Sequence, residues 1–434
     1  MKRKAMDTLY QWKKSNRRKP LIIRGARQVG KTWLMKEFGK IAYENALYIN
    51  FDGNHVMEEL FSKDLDVFRI IKGLELYFER KINPENTLLI FDEVQEVPKA
   101  LTSLKYFNED APQYHIICAG SLLGVALHKG TSFPVGKVEF MDLTPMTFME
   151  FLQAIEKEQL VSLLEDKDYS LMSTFKEKLI DLLKHYYYIG GMPEVVYNYS
   201  QHFDFTEVRK IQQEILDAYE QDFSKHAPPE IVPRIRMLWN SIPSQLSKEN
   251  KKFIYGLVKE GARAKEYELA LLWLTDCGLV HKVHRVNKSD IPLKSYEDLK
   301  AFKLFTLDVG LMSCMVNLRQ NTLLEKNILF KEFKGSLTEQ YVLQELKTQL
   351  KQGIYYWSNE RNTNELDFLI DIEGQIIPLE VKAEVNLRSR SLKAFVEKYK
   401  IPKAVRTSMA DYQEEEWLIN LPLYAISNFS GLFR

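Results

Sequence analysis

The segment Gly25-Ala26-Arg27-Gln28-Val29-Gly30-Lys31-Thr32 constrains this chain more than any other, because the pattern G-x-x-x-x-G-K-[ST] works chemically only between a strand and a helix. Pro20-Leu21-Ile22-Ile23 before it reads as a short buried strand, and Trp33-Leu34-Met35-Lys36-Glu37-Phe38 after it reads as a helix. Gly25 and Gly30 let the backbone turn its N–H groups inward around a phosphate, and the helix N-terminus adds partial positive charge. Lys31 is then set to bridge β- and γ-phosphates, and Thr32 to offer its hydroxyl to Mg²⁺. The segment predicts a nucleoside triphosphate site.

A second sign is Thr87-Leu88-Leu89-Ile90-Phe91-Asp92-Glu93, an apolar run ending in two acids, which reads as a Walker B strand. Such a run suits a parallel strand buried on both faces, with its acids at the C-terminal end where open α/β sheets bind ligands. Asp92 would hold Mg²⁺ through water, and Glu93 would orient or deprotonate the attacking water. A buried strand followed by a solvated acidic turn is the plain alternative. A third strand, Tyr114-His115-Ile116-Ile117-Cys118-Ala119, leads to Gly120-Ser121, where Ser121 is set to sense the γ-phosphate.

At 434 residues and 45% apolar content the chain has material for several cores. The net charge of +1 gives no overall signal for a polyanion partner, yet residues 1–40 carry 13 Lys or Arg against only Asp7 and Glu37. A solvated helix plus a phosphate loop accounts for most of that excess, with a nucleic-acid patch as the alternative. Cys118, Cys277 and Cys314 stand far apart in apolar settings and read as buried thiols of a reducing compartment. No apolar run reaches the roughly 18 residues of a membrane helix, and the basic N-terminus lacks a signal-peptide core. The expectation is a cytoplasmic protein without membrane contact.

The expected organisation is an α/β P-loop NTPase domain with a parallel sheet over residues 1–200, a helical, winged-helix-like domain over 201–325, and an α/β restriction-endonuclease-like domain over 326–434. Leu143-Thr144-Pro145-Met146-Thr147-Phe148 is expected to open a helix with Thr144 as its cap and Pro145 in its first turn. Gly190-Gly191-Met192-Pro193 marks a tight loop. A helix through Phe253, Ile254, Leu257 and Val258, a second through Leu269, Leu271, Leu272 and Leu274, and a strand from Cys277 to Val283 follow the order of a winged helix. Its second helix is apolar rather than basic, so a packing module stands beside DNA recognition. Cys277, His281 and His284 lack a fourth ligand and read as packing residues rather than a zinc site.

Near the C-terminus, Asn364-Glu365-Leu366-Asp367-Phe368-Leu369-Ile370-Asp371 and Ile376-Ile377-Pro378-Leu379-Glu380-Val381-Lys382 read as a β-hairpin turning at Gly374. Period-two alternation sets Glu380 and Lys382 on one face, with Asp367 approaching from the partner strand. An amphipathic helix over residues 336–346 would bring Glu339 to the same spot. An acid on a helix, an Asp on one strand and Glu-x-Lys on the next resemble the PD-(D/E)xK site of restriction-endonuclease-like folds. In that chemistry Asp367 and Glu380 hold Mg²⁺, Glu339 supports the metal, and Lys382 positions or activates water. Ordinary salt bridges on exposed strand faces are the alternative. Tyr355-Tyr356-Trp357 reads as a core strand.

Taken together, the phosphate loop, Phe91-Asp92-Glu93, Ala119-Gly120-Ser121, the block from Leu143 to Phe151, Gly190-Gly191-Met192-Pro193-Glu194, Lys303–Leu311 and the Asp367, Glu380 and Lys382 cluster resemble prokaryotic AAA-type ATPases that carry a C-terminal restriction-endonuclease-like domain of unassigned function. The resemblance implies ATP binding, a winged-helix linker and a nuclease-like fold, and with them an ATPase that engages DNA through its C-terminal half. A regulatory ATP switch with an inactive, protein-binding scaffold is the alternative, and a chaperone-like assembly factor a third. Two departures stand out. Lys137 follows Gly136 where many relatives carry an arginine, so an arginine finger would come from Arg234 or Arg236 of a neighbouring copy in a homo-oligomer. Leu366 stands where the namesake motif has proline.

Overall fold

The computed structural model describes residues 2–120, 133–248, 251–324, 331–359, 364–385 and 389–433. They form two compact units, one made of Lys2–Thr144 with Asp276–Gly278, the other of Pro145–Thr275 with Leu279–Arg434.

The first unit is built on five strands, β1 (Leu21–Arg24), β2 (Asn45–Asn50), β3 (Thr87–Asp92), β4 (His115–Ala119) and β5 (Glu139–Asp142). All pair in parallel, in the order β2, β3, β4, β1, β5. β3 and β4 are buried at every position, as continuous apolar runs in a parallel sheet should be. Phe51, Phe61, Phe91 and Phe107 pack edge to face on one side of the sheet, fixing β3 against the helices His55–Lys63 and Pro98–Asp110. β1 lies two strands from β3, so the phosphate loop and the Walker B acids emerge along the same edge of the sheet.

The second unit carries an eight-stranded mixed sheet. Its strands are β6 (Val280–Val286), β7 (Glu297–Thr306), β8 (Ile354–Ser358), β9 (Glu365–Ile372), β10 (Gln375–Val381), β11 (Ala404–Ser408), β12 (Gln413–Glu414) and β13 (Leu418–Pro422), in the order β12, β13, β11, β10, β9, β8, β6, β7. The expected hairpin is β9 and β10, turning at Glu373 and Gly374, both with positive φ. β6 and β7 form a second hairpin, and β6 pairs in parallel with β8, so strands on both sides of the expected domain boundary belong to one sheet.

Three local expectations are corrected. The helix after the Leu143 block spans Phe148–Ala154, and Thr147, not Thr144, caps it in a reciprocal capping box with Glu150. The stretch Phe253–Val258 forms only a 3₁₀ turn over Tyr255–Leu257, not an α-helix, with Gln245 holding both the N–H and the C=O of Ile254. The helix Lys331–Gln349 is not amphipathic over residues 336–346; every one of those residues is buried. Its polar side chains serve the neighbouring backbone instead. Gln340 hydrogen-bonds both N–H and C=O of Thr306, and Gln344 accepts from the N–H of Val309.

Gln344 also donates to Asp308, whose carboxylate accepts from the N–H of Gly191 at 2.6 Å and of Leu311 at 2.9 Å. Burial pushes the Asp308 carboxyl up, and these hydrogen bonds oppose the shift. A Cβ on Gly191 would sit 2.0 Å from the Met146 carbonyl oxygen, so no larger residue fits this crossing.

Candidate functional site

At the end of β1 the chain enters the phosphate loop through Gly25, where φ is +148° and a Cβ would lie 2.3 Å from the Leu143 carbonyl oxygen. Gln28 and Gly30 also take positive φ, and the helix Lys31–Ala42 starts directly after them. Ala26 and Val29 are buried, which fixes the loop from below. Arg3, buried beneath the loop, donates to the carbonyls of Val29 and Thr144. Lys31 donates to the carbonyls of Gly25 at 2.8 Å and Ala26 at 2.7 Å. Burial holds its ammonium down to about 8, against the opposing pull of Glu93 and Asp92.

Asp92 joins the two motifs. Its Oδ2 accepts from Thr32 Oγ1 at 2.6 Å and from Tyr48 Oη at 3.0 Å, and its Oδ1 from the N–H of Glu93 at 3.1 Å. The Lys36 ammonium sits 3.6 Å from the centre of the Tyr48 ring. A hydroxyl and a carboxylate meeting beside a phosphate loop are hard oxygen donors of the kind Mg²⁺ takes. Glu93 adopts a left-handed backbone, φ 51°, a conformation costing a non-glycine residue about 1 kcal/mol. Its carboxylate accepts from Gln95 Nε2 at 2.6 Å. Ser121 lies outside the described residues.

Sequence reasoning missed Arg3, Tyr48 and Gln95. Tyr48 stands on β2, whose register sets Asn50 opposite Asp92, but the polar flanks of that strand hid it. Gln95 is two residues beyond Glu93 and was readable from spacing alone. The basic excess near the N-terminus is partly consumed internally: Lys13 reaches the Ala42 carbonyl, Arg18 that of Lys13, Lys19 that of Gly136, and Arg24 pairs with Asp142 at 2.8 Å. Lys137 pairs with Glu109 at 2.9 Å, Arg234 reaches the Glu230 carbonyl and Arg236 the Ser224 hydroxyl.

The C-terminal residues do converge. Asp367 on β9 accepts from the N–H of Val381 at 2.8 Å, which sets it beside the Glu380 and Lys382 end of β10. Lys382 pairs with Glu380 at 2.7 Å. Glu339 faces Asp367 through a side-chain hydrogen bond, and burial together with the Glu339 charge pushes the Asp367 carboxyl up to about 8. Two lysines join them from outside the hairpin. Lys251 pairs with Glu339, and the fully buried Lys303 pairs with Glu365 at 2.5 Å and lies 3.9 Å from Glu339. Burial disfavours the Lys303 charge, but Glu365, Glu339 and Asp367 outweigh it and hold the ammonium above its ordinary value. Among the described residues no group of three or more His, Cys, Asp or Glu is arranged to hold a metal ion. That covers Glu339, Asp367 and Glu380 as well as the zinc candidates. His284 pairs with Glu297 at 3.3 Å, and burial with the Lys347 charge holds His281 neutral, down to about 3.

No helix among the described residues is long and apolar enough to cross a membrane. Residues 17–152 match the AAA domain family, and residues 180–322 and 334–425 match two domains of unknown function, DUF8612 and DUF4143. No match was found among curated proteins. The Walker-type ATPase PABY2304 of Pyrococcus abyssi is 14% identical over 72% of this chain and 94% of its own, with a TM-score of 0.47. The Aeropyrum pernix ORC1 protein, solved in complex with DNA, is 11% identical over 72% of this chain and 90% of its own, with a TM-score of 0.27. Cdc6p of Pyrobaculum aerophilum is 12% identical over 70% and 88%, with a TM-score of 0.23. Likeness at these scores carries no inference about activity. The parallel sheet, the phosphate loop and the family match together make the N-terminal region an AAA-type P-loop domain of the kind that binds ATP.

Proposed function

We propose that this chain is a Mg²⁺-dependent ATP hydrolase whose nucleotide state sets the behaviour of its C-terminal half. The observation that carries the reading is the meeting of Thr32 and Asp92 at 2.6 Å with Glu93 next in the chain. Lys31 would exchange the carbonyls of Gly25 and Ala26 for β- and γ-phosphate oxygens, and the inward N–H groups of the loop would hold the β-phosphate. Thr32 and Asp92 would hold Mg²⁺, which when bound neutralises charge between the β- and γ-phosphates. Glu93 would orient the attacking water and accept its proton, with Gln95 fixing the carboxylate. Ser121 stays in the proposal as the residue that senses the γ-phosphate. Lys31→Ala is the test: nucleotide affinity is expected to fall by about tenfold or more, a loss of about 1.4 kcal/mol, and unchanged affinity would remove the reading.

Coupling is supported by the short segment Asp276–Gly278. It belongs to the same compact unit as the phosphate loop, and a Cβ on Gly278 would lie 3.3 Å from the Ala26 nitrogen. The chain is continuous from there into helix Ala264–Asp276 on one side and β6 on the other. With Lys137 paired to Glu109 and unable to fork onto a phosphate, an arginine finger would come from Arg234 or Arg236 of a neighbouring copy, whose contacts with the Glu230 carbonyl and the Ser224 hydroxyl are solvent-exposed. Hydrolysis per chain would then rise with protein concentration, and a concentration-independent rate would discard that part.

For the partner of the C-terminal half, one observation favours protein over DNA. The helix Ala264–Asp276, expected from the sequence as the second helix of a winged helix, exposes Leu269 and Leu272 beside Glu266 and Glu268, with Lys265 the basic residue on that face. Such a face repels phosphate and suits an apolar partner. DNA engagement through a winged-helix and nuclease-like half is the other reading. It requires DNA binding that weakens steeply with salt, and salt-insensitive or absent binding to duplex and single-stranded oligonucleotides would exclude it.

A further inference from the structure

The acid cluster on β9, β10 and the helix Lys331–Gln349 resembles a metal-dependent phosphodiesterase site, and the residues around it fit that role poorly as folded. Glu339 Oε1 is held by Lys251 and its Oε2 faces Lys303 at 3.9 Å. Lys303 is fully buried, pairs with Glu365 at 2.5 Å and lies 4.9 Å from the centre of the Tyr356 ring. Glu380 is paired with Lys382, and Arg406 adds a further positive charge beside it. Asp367 spends one oxygen on the Val381 N–H. Every carboxylate of the set therefore already faces an ammonium or a backbone donor.

We propose that Lys251 and Lys303 are resident cations that close this cluster against divalent metal. The nuclease-like centre is then a buried ion-pair network, and Lys251 is the residue whose withdrawal would open it. Electrostatics supports the assignment. A lysine ammonium between buried carboxylates relieves the same repulsion that a divalent ion would relieve, so the two compete for one place. The two lysines differ in how they are held. Lys303 is anchored in β7 within the sheet, whereas Lys251 lies outside helix and strand shortly before the Tyr255–Leu257 turn, and its side chain keeps 15% exposure. Glu380 Oε2 is buried without a hydrogen-bond partner among the described residues. Glu339 Oε2 is likewise without one, and with Glu339 Oε1, which Lys251 occupies, these are the oxygens left to receive a cation once Lys251 gives way.

This inference does not rest on the ATP reading, and its test is run without nucleotide in full-length protein carrying Lys31→Ala. Mn²⁺ uptake is followed by the electron paramagnetic resonance signal of the free ion. The Lys31→Ala parent is expected to show no saturable uptake that Asp367→Asn removes, and no change in melting temperature between Mn²⁺ and chelator. Added Lys251→Met is expected to create a Mn²⁺ site about tenfold or more tighter than any in the parent, the scale on which neighbours of a metal act, and Asp367→Asn is expected to abolish it. A parent that already binds Mn²⁺ in a manner lost with Asp367→Asn would overturn the proposal, whether or not Lys251→Met folds. A folded Lys251→Met chain that gains no Mn²⁺ binding would overturn it too.

Discussion

Glu345, on the helix Lys331–Gln349, accepts a hydrogen bond at 2.7 Å from the backbone N–H of Phe148, 197 positions earlier in the chain. Phe148 opens its own helix, so Glu345 satisfies one of the donors that a helix start leaves unpaired, from a distant element rather than a local cap. Around this contact Tyr186 donates to the Met146 carbonyl, Gln344 donates to Tyr186 at 2.9 Å, and the N–H of Met146 reaches the Gly191 carbonyl at 2.6 Å. Met146 and Phe148, the paired glycines, the Asp308 segment and the helix carrying Glu339 thus meet in one buried network.

Removing that acceptor should be costly. Glu345→Ala would strand the buried Phe148 N–H and is expected to lower stability by about 2 kcal/mol, whereas Glu345→Gln keeps an acceptor oxygen and should cost less. The difference in urea midpoints between the two variants is the measurement. Equal midpoints would mean the hydrogen bond contributes nothing.

A pH effect is expected from His115. Burial, together with the Arg18 and Lys13 charges, holds this imidazole down to about 4, while its Nδ1 lies 2.6 Å from Tyr43 Oη. Its unfolded value is 6.5. Between those values the unfolded chain binds the extra proton, so stability falls as pH drops from 6.5 towards 4. With discount for partial solvent screening the loss is about 1 to 2 kcal/mol. His115→Gln, which cannot titrate, should flatten that part of the pH profile, and parallel profiles for the two proteins would contradict the assignment.

Tyr48 shares Asp92 Oδ2 with Thr32. Tyr48→Phe deletes one donor to a carboxylate, worth about 1 kcal/mol. The Mg²⁺ concentration for half-maximal hydrolysis should then rise by roughly fivefold, with ATP affinity in the absence of Mg²⁺ unchanged. A fall in metal-free ATP affinity of the same size would instead make Tyr48 part of the nucleotide pocket.

Much of this architecture was legible. β1, β3 and β4 were readable because parallel strands buried on both faces are continuous apolar runs, and the β9–β10 hairpin because Gly374 marks its turn. β2 and β5 were not, since Asn45–Asn50 and Glu139–Asp142 are short and polar at their ends and become strands only by pairing with β3 and β1. The convergence of Asp367, Glu380, Lys382 and Glu339 followed from alternation and element order. Lys251 and Lys303 did not, because each comes from a segment remote in sequence, and Glu-x-Lys carries no information about which other charges fold against it. The helix carrying Glu339 looked amphipathic because Gln340, Gln344 and Glu345 are polar, yet each is buried to serve backbone groups elsewhere.

Glu93, the acid that follows Asp92, is held by Gln95 and is the proposed general base. The decisive measurement is ATP binding and steady-state hydrolysis by Glu93→Gln beside the parent chain, with Mg²⁺ present. The prediction is ATP affinity within about twofold of the parent and hydrolysis slowed by about a hundredfold or more, the loss expected when a positioned general base is removed. Hydrolysis by Glu93→Gln at the parent rate would contradict the assignment of this site as the centre of an ATP hydrolase.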